Sequence, residues 1–282
     1  MQYAESARDA AARWDITTPS RPGRLPGVGM AGFRDRRTDL VDLQVVPYPA
    51  VTVVVDFGDG LLVDDVSGRQ QRGSAVLGLA PGSVRVHGRD IECLQMRLSP
   101  VVAHAVLGAS LESGGAVVAL EDLWGRDAGR TQEQLRAAAS WEERFAIAEA
   151  ALARRHAAGR AVDPGVGYAW RQMVASRGQV RIEQLAAEAG WSRKRLWARF
   201  RSQVGLTPKR AAQLVRFDHA AHRLAAGHSA ASVAAEGGYV DQSHLHRDVM
   251  AFAGVTPTAV AAAPWLAVDD VAWAALGHAS KT

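Results

Sequence analysis

The residues best suited to chemistry lie in one short run, Arg193-Lys194-Arg195-Leu196-Trp197-Ala198-Arg199-Phe200-Arg201. Read as a helix, the run has two faces. Leu196, Phe200 and Val204 recur on the apolar side, while Lys194, Trp197, Ala198 and Arg201 follow i, i+3, i+4, i+7 on the other. Arg193, Arg195 and Arg199 flank that outer stripe, which makes this the densest basic run in the chain. A cationic helix face with an indole among its charges suits a polyanion. Guanidinium and ammonium groups pair with phosphates, and side chains that reach the groove floor read base edges or thymine methyls. A basic run is often no more than a solvated surface. Here Trp197 sits on the exposed stripe with no core to explain it.

The run also belongs to a repeat. Leu185-Ala186-Ala187-Glu188-Ala189-Gly190 returns as Val233-Ala234-Ala235-Glu236-Gly237-Gly238, 48 residues on. Leu196, Phe200, Gly205 and Thr207-Pro208 return as Leu245, Val249, Gly254 and Thr256-Pro257, 49 residues on. Each copy reads helix, glycine turn, helix. Gly190 suits the left-handed position that ends the first helix, and Ser192 caps the second. This is the helix-turn-helix pattern, which lays its second helix in the major groove. In copy two, Gln242, Ser243, His246 and Arg247 share the outward face; Gln and Arg suit bidentate bonds to adenine and guanine. That helix carries a single Arg, with acids at Asp241 and Asp248. Between the copies, 208–226 reads as one helix with Leu214, Phe217, Ala221 and Leu224 inward. At 1.5 Å per residue it is about 27 Å long. That is comparable to the ~34 Å repeat of B-DNA, so recognition helices at its two ends suit successive major-groove segments.

Other chemistries find little support. Cys93 is the single cysteine, which excludes a disulfide framework and a Cys-rich zinc or iron–sulfur site. A metal-dependent cupin needs a His-x-His pair and further ligands on inward-facing strands, and the strand-like region offers His87 alone. His244 and His246 fall on a helix, where i and i+2 diverge. His219 and His222, at i and i+3 on the long helix, read as an exposed pair rather than a chelate. No phosphate loop, nucleophile elbow or H-E-x-x-H motif occurs. Accordingly no catalytic residue, metal or cofactor is expected, and the chain is not expected to be an enzyme.

These residues need elements to hold them. The chain has 282 residues, which at roughly 100–200 per domain suggests two domains. Its net charge of +4 is unevenly placed: residues 163–263 carry 13 Lys+Arg against 7 Asp+Glu, and the rest is net −2. No stretch approaches the ~20 apolar residues of a membrane span, and the first residues lack a signal-peptide apolar core. A cytoplasmic protein is therefore expected. Residues 1–27 read as an extension, with a short helix at 3–13 and breaks at Pro19, Pro22 and Pro26. Short β-branched runs follow at 40–46, 51–57, 61–63, 74–80, 83–87 and 92–98, which suggests a sandwich or small barrel. Phe57-Gly58-Asp59-Gly60 reads as a hairpin turn, and Ala80-Pro81-Gly82 as a second turn. Pro100 opens a helix bearing Val101, Val102, Ala105 and Val106, and 131–138 and 140–156 are also helical. In the last of these Ser140 and Glu143 form a capping box. The tail, 264–282, holds a short apolar helix with Leu266, Val268, Val271 and Leu276.

From about Val180 to Val260 the chain resembles the AraC/XylS family of bacterial transcription regulators. The resemblance rests on LAAEAGWSRKRLWARFRSQVGLTPKR and on GGYVDQSHLHRDVMAFAGVTP. It implies two helix-turn-helix subdomains joined by a helix, with base contacts from Lys194, Trp197, Ala198, Gln242, Ser243 and Arg247, and a structural role for Arg216. Ala198 stands where many members carry a polar side chain, and Val249 where Phe is usual. Residues 30–156, including Leu120-Glu121-Asp122-Leu123-Trp124-Gly125 and Trp141-Glu142-Glu143-Arg144-Phe145, resemble the sensor portion of actinobacterial members. That implies a cupin-like or jelly-roll-like β-domain followed by helices that often mediate dimerisation.

The fold expected is thus α+β: a β-rich N-terminal domain with helices, then an all-α double helix-turn-helix domain. The expected boundaries are 1–27 extension, 28–158 sensor or dimerisation domain, 159–165 linker, 166–263 DNA-binding domain and 264–282 tail. The expected function is a sequence-specific DNA-binding regulator, modulated by a small-molecule effector or by dimerisation. Backbone contacts are assigned to Ser192, Arg193, Arg195, Arg199, Arg201, Lys209 and His246. Double-stranded DNA is the expected partner. An effector, RNA polymerase and a second copy of the chain are further candidates. The alternative is a small-molecule-binding or interaction protein with a degenerate helix-turn-helix domain, for which the sparse charge of copy two speaks.

Overall fold

The computed structural model describes residues 12–58, 60–65, 67–79, 82–108 and 117–273. The chain begins with short strands: β1 (Trp14–Thr17), β2 (Val28–Asp35), β3 (Val41–Val45), β4 (Val51–Asp56), β5 (Leu62–Asp64), β6 (Gln70–Arg72), β7 (Ala75–Leu77), β8 (Val84–Gly88), β9 (Glu92–Leu98) and β10 (Val117–Ala119). They form a six-stranded sheet in the order β1-β2-β9-β4-β7-β10 and a four-stranded sheet in the order β3-β8-β5-β6. Every pairing is antiparallel. Alternation along β9 shows how the larger sheet divides space, since successive side chains point to opposite faces. Cys93, Gln95 and Arg97 line a cavity between the sheets. Leu94, Met96 and Leu98 are wholly buried on the other face.

Two sequence expectations need correction. Gly58 to Gly60 do not close a hairpin: β4 pairs with β7 and β9, whereas β5 pairs with β6 and β8, so the connection crosses between sheets. The glycine serves a close approach instead, because a Cβ on Gly60 would come within 2.4 Å of the Arg89 carbonyl oxygen. Asp59, Ala80 and Pro81, like the expected helix at 3–13 up to residue 11, lie outside the described residues. Four strands were also not expected: β1, β2, β6 and β10. β2 hides behind Gly29 and Gly32, which lower strand propensity. Gly32 is required because the Trp141 indole lies on the strand, 2.3 Å from where a Cβ would be. β1 falls inside the expected N-terminal extension and pairs with β2.

Helices cover the outer face of the larger sheet: α1 (Pro100–Leu107), α2 (Leu120–Trp124), α3 (Arg126–Ala137) and α4 (Trp141–Ala158). Ser99 and Pro100 open α1, and Val102, Ala103, Val106 and Leu107 bury its inner stripe. The Ser140 hydroxyl accepts from Glu143 N–H (3.2 Å), and the Glu143 carboxylate accepts from Ala139 N–H (2.8 Å), so α4 starts as its sequence indicates. Beyond it come α5 (Pro164–Ala175), α6 (Ile182–Glu188), α7 (Arg193–Val204), α8 (Pro208–Ala225), α9 (Ala230–Glu236), α10 (Gln242–Ala253), α11 (Pro257–Ala261) and α12 (Pro264–Ala272).

The two halves are packed together. A Cβ on Gly159 would meet the Ala105 carbonyl oxygen at 1.9 Å, and α1 lies against α7. One hydrophobic cluster runs from Met30, Val53 and Leu98 through Val106 and Trp170 to Phe200 and Phe252. The tail helix α12 turns back to the β-domain, where Ala272 and Trp273 join the core between the sheets. Among the described residues no helix is long and apolar enough to cross a membrane.

Candidate nucleic-acid interface

The first helix pair is α6–α7. Leu185 and Ala186 bury one side of α6, and Leu196, Phe200 and Val204 bury the facing side of α7. Gly190 takes φ +68°, the left-handed conformation that its place in the turn requires. Ser192 caps α7, its hydroxyl accepting from Arg195 N–H at 3.2 Å. With the apolar stripe turned inward, Lys194, Trp197, Ala198 and Arg201 are brought together outside, and Trp197 is 46% exposed. Arg193, Arg195 and Arg199 border that stripe and are likewise exposed.

The second pair, α9–α10, repeats this design. Gly238 is left-handed (φ +72°), and the Asp241 carboxylate caps α10 by accepting from His244 N–H at 2.7 Å. Leu245, Val249 and Phe252 are buried, and Phe252 stacks on Phe217 of α8 with ring centroids 5.1 Å apart. Gln242, Ser243, His246 and Arg247 are exposed. α8 touches α5, α7, α9, α10 and α11, so both pairs are mounted on one bridging helix. Lys209 is exposed at its start.

The electrostatics sort the cations. Arg193 pairs with Glu183 at 3.2 Å, and Arg199 with Asp163 at 3.1 Å. Arg195 lies over the Trp191 ring (4.6 Å) and Arg201 over that of Trp197 (5.2 Å). Lys194, Arg195, Arg201, Lys209 and Arg247 make no ion pair among the described residues. The two acids of α10 and its cap differ in placement. Asp248 is buried and accepts from Arg216 at 2.8 Å, while Asp241 is engaged in capping. The Arg216 guanidinium also covers the Tyr239 ring at 4.5 Å, and burial raises that phenol's pKa above its usual range. Arg210, which the sequence reading passed over, lies 3.7 Å from the Phe252 ring centroid, and burial lowers its pKa.

The histidine reading is also corrected. His219 and His222 do not form an exposed pair, because α8 is wrapped by neighbours on most of its circumference. His219 is 9% exposed, and burial together with Arg177 and Arg223 pushes it down to about 4. His222 Nδ1 is 2.9 Å from the Asp218 carbonyl oxygen. His87 Nε2 is 3.0 Å from the Asp64 carboxylate. Among the described residues no group of three or more His, Cys, Asp or Glu is placed to hold a metal ion.

A second site lies between the sheets, a cavity of about 90 Å³ walled by apolar side chains such as Phe33, Val54, Val63 and Ile91. Burial pushes the Cys93 thiol up to about 12 and leaves it an inert wall group. Arg97 is buried there with a carboxylate partner, Asp269 of α12. The sequence did carry a trace of this: Gln95 and Arg97 are polar positions in phase within the otherwise apolar stretch Cys93–Leu98.

Residues 185–263 match the family model described as a helix-turn-helix domain. No curated protein matches the sequence. Among solved structures, ToxT from Vibrio cholerae O395 aligns with 10% identity and a TM-score of 0.46 over 84% of this chain and 98% of that one. ToxT from the same source bound to (E)-4-(8-methylnaphthalen-1-yl)but-3-enoic acid aligns with 10% identity and a TM-score of 0.47 over 86% and 99%. The AraC-like transcriptional activator CuxR aligns with 18% identity and a TM-score of 0.27 over 86% and 94%.

Proposed function

We propose that this chain, whose residues 185–263 match a helix-turn-helix domain, is a DNA-binding transcription regulator of the AraC/XylS family that reads two successive major-groove segments of double-stranded DNA, one with α7 and one with α10. The observation that carries this reading is the pair of capped helices on one bridging helix, each with its polar stripe exposed. Lys194, Trp197 and Ala198 on α7, with Gln242, Ser243 and Arg247 on α10, meet base edges and thymine methyls. Ser192, Arg193, Arg195, Arg199, Arg201, Lys209 and His246 meet phosphates and fix the register. The chain divides accordingly into the β-rich sensor with its helices, a short linker at 159–165, the reader at 166–263 and a tail. The sensor responds to a small-molecule effector or provides the contact for a second copy, and RNA polymerase is the downstream partner.

Selection of bound DNA from a random library tests this directly. The expected product is a site with two conserved segments about one helical turn, roughly 10 base pairs, apart. Binding to it should weaken steeply with salt, because each neutralised phosphate releases counterions. A library that returns no enriched sequence, or binding indifferent to salt, overturns the reading.

A further inference from the structure

The cavity between the sheets is closed by a helix from the far end of the chain. α12 leaves the reader after α11 and places Val268, Asp269 and Trp273 in the cavity wall. Arg97 donates to the Asp269 carboxylate through both terminal nitrogens, at 2.6 and 3.2 Å. Its guanidinium is held against Tyr48 (3.9 Å) and Trp273 (4.3 Å). Burial disfavours this charge, and Asp269, with Tyr48 and Asp218, more than offsets that, so Arg97 stays ionised. Asp269 also lies 4.0 Å from His222 Nε2 on the bridging helix. One carboxylate thus links a sensor strand, the tail helix and the reader.

Space and charge give this arrangement a meaning. Only about 90 Å³ remains in the cavity with α12 seated. Pockets that hold small organic ligands run to roughly 300–1,000 Å³, so little more than a few waters fits while those three side chains are in place. Removing Asp269 would strand a buried guanidinium, which is costly, so whatever replaces α12 must bring an anion of its own. The remaining wall is apolar and asks for an apolar body.

We propose that α12 is a tethered plug of the sensor cavity, and that a ligand with an apolar body and one anionic group enters by exchanging with Asp269 on Arg97 and expelling the helix. This rests on reading the β-domain as a sensor. Expulsion removes one of the reader's attachments to it; α1 against α7, and Gln44 donating to the Ala253 carbonyl at 3.4 Å, are others. Ligand occupancy is thereby coupled to the freedom of the reader.

The test uses the full-length protein, hydrogen exchange, and 1-anilinonaphthalene-8-sulfonate as an apolar anion. In Asp269→Asn, amides of residues 266–273 are expected to exchange at least about tenfold faster, with β9 and α8 little changed. The dye should bind this variant at one-to-one stoichiometry and at least about tenfold more tightly than the wild type. Adding Arg97→Gln should take that gain away while α12 stays released. Trp273→Ala, which keeps the ion pair, opens the cavity by a second route and should also raise dye affinity. The proposal fails if wild type binds the dye as tightly as the variants, if binding ignores Arg97, or if α12 exchanges no faster in Asp269→Asn. No DNA enters this experiment, so its outcome is separate from that of the DNA selection.

Discussion

At the scale of single residues, the exposed faces of α7 and α10 divide, on the proposed reading, into groups that select and groups that hold. Arg247 donates through Nε to the Ser243 carbonyl (3.3 Å), which steadies the side chain and leaves its terminal N–H groups outward. Arg247→Ala is expected to cost about 1–3 kcal/mol and to relax preference at one position of the site. Arg199 is tied to Asp163 by a half-exposed pair. Arg199→Ala should weaken all sequences alike and lower the salt slope by about 1, as read from anisotropy titrations at several salt concentrations. His219 gives a pH prediction. Its folded pKa of about 4 lies below the usual value of 6.5, so between those values the unfolded chain binds a proton that the folded one refuses. Stability must then fall as pH drops from 6.5 toward 4. His219→Gln should flatten that part of a plot of urea midpoint against pH.

At the scale of elements, docking of α10 onto α8 depends on a buried ion pair. Arg216 and Asp248 side chains are 15% and 10% exposed. Asp248→Ala leaves the guanidinium without its carboxylate and should cost about 3–5 kcal/mol in urea unfolding. The internal place of Asp248 was legible in the sequence, because Leu245, Asp248, Val249 and Phe252 follow i, i+3, i+4, i+7. Reading the acid as surface charge ignored that stripe. Its partner was not legible, since nothing in a helical period says which neighbour faces it. Gly32 shows the same division. Its glycine reads as a poor strand former, yet the reason for it is the Trp141 indole across the layer. Gly32→Ala should therefore destabilise by about 1–3 kcal/mol through overpacking, measured as a lowered denaturation midpoint.

At the scale of the whole molecule, the β-rich half and the helical half share one hydrophobic cluster, and a tail helix returns from the second to the first. Thermal unfolding followed by far-ultraviolet and near-ultraviolet circular dichroism should therefore give coincident curves. Two separated transitions would show halves that fold independently. The charge is divided along the same line: residues 163–263 carry net +6 and the remainder net −2. Copy one supplies most of the basic stripe, and on the proposed reading copy two adds discrimination through Gln242, Ser243 and Arg247.

The repeat, its glycine turns, its caps and its outward stripes were determined by the sequence alone, because helix periodicity and left-handed turn positions are set by near neighbours in the chain. Strands β3, β4, β5, β7, β8 and β9 were legible in the same way, by β-branched clusters between turn residues, whereas β6, Gln70–Arg72, has none. Tertiary structure decided what each buried face meets. It sent β4 and β5 to different sheets, took Asp248 and His219 inside, and brought Asp269 to Arg97 across 172 residues of chain. Local pattern records that a side chain is to be buried. Only the folded chain, by choosing among distant partners of similar polarity, decides what it is buried against.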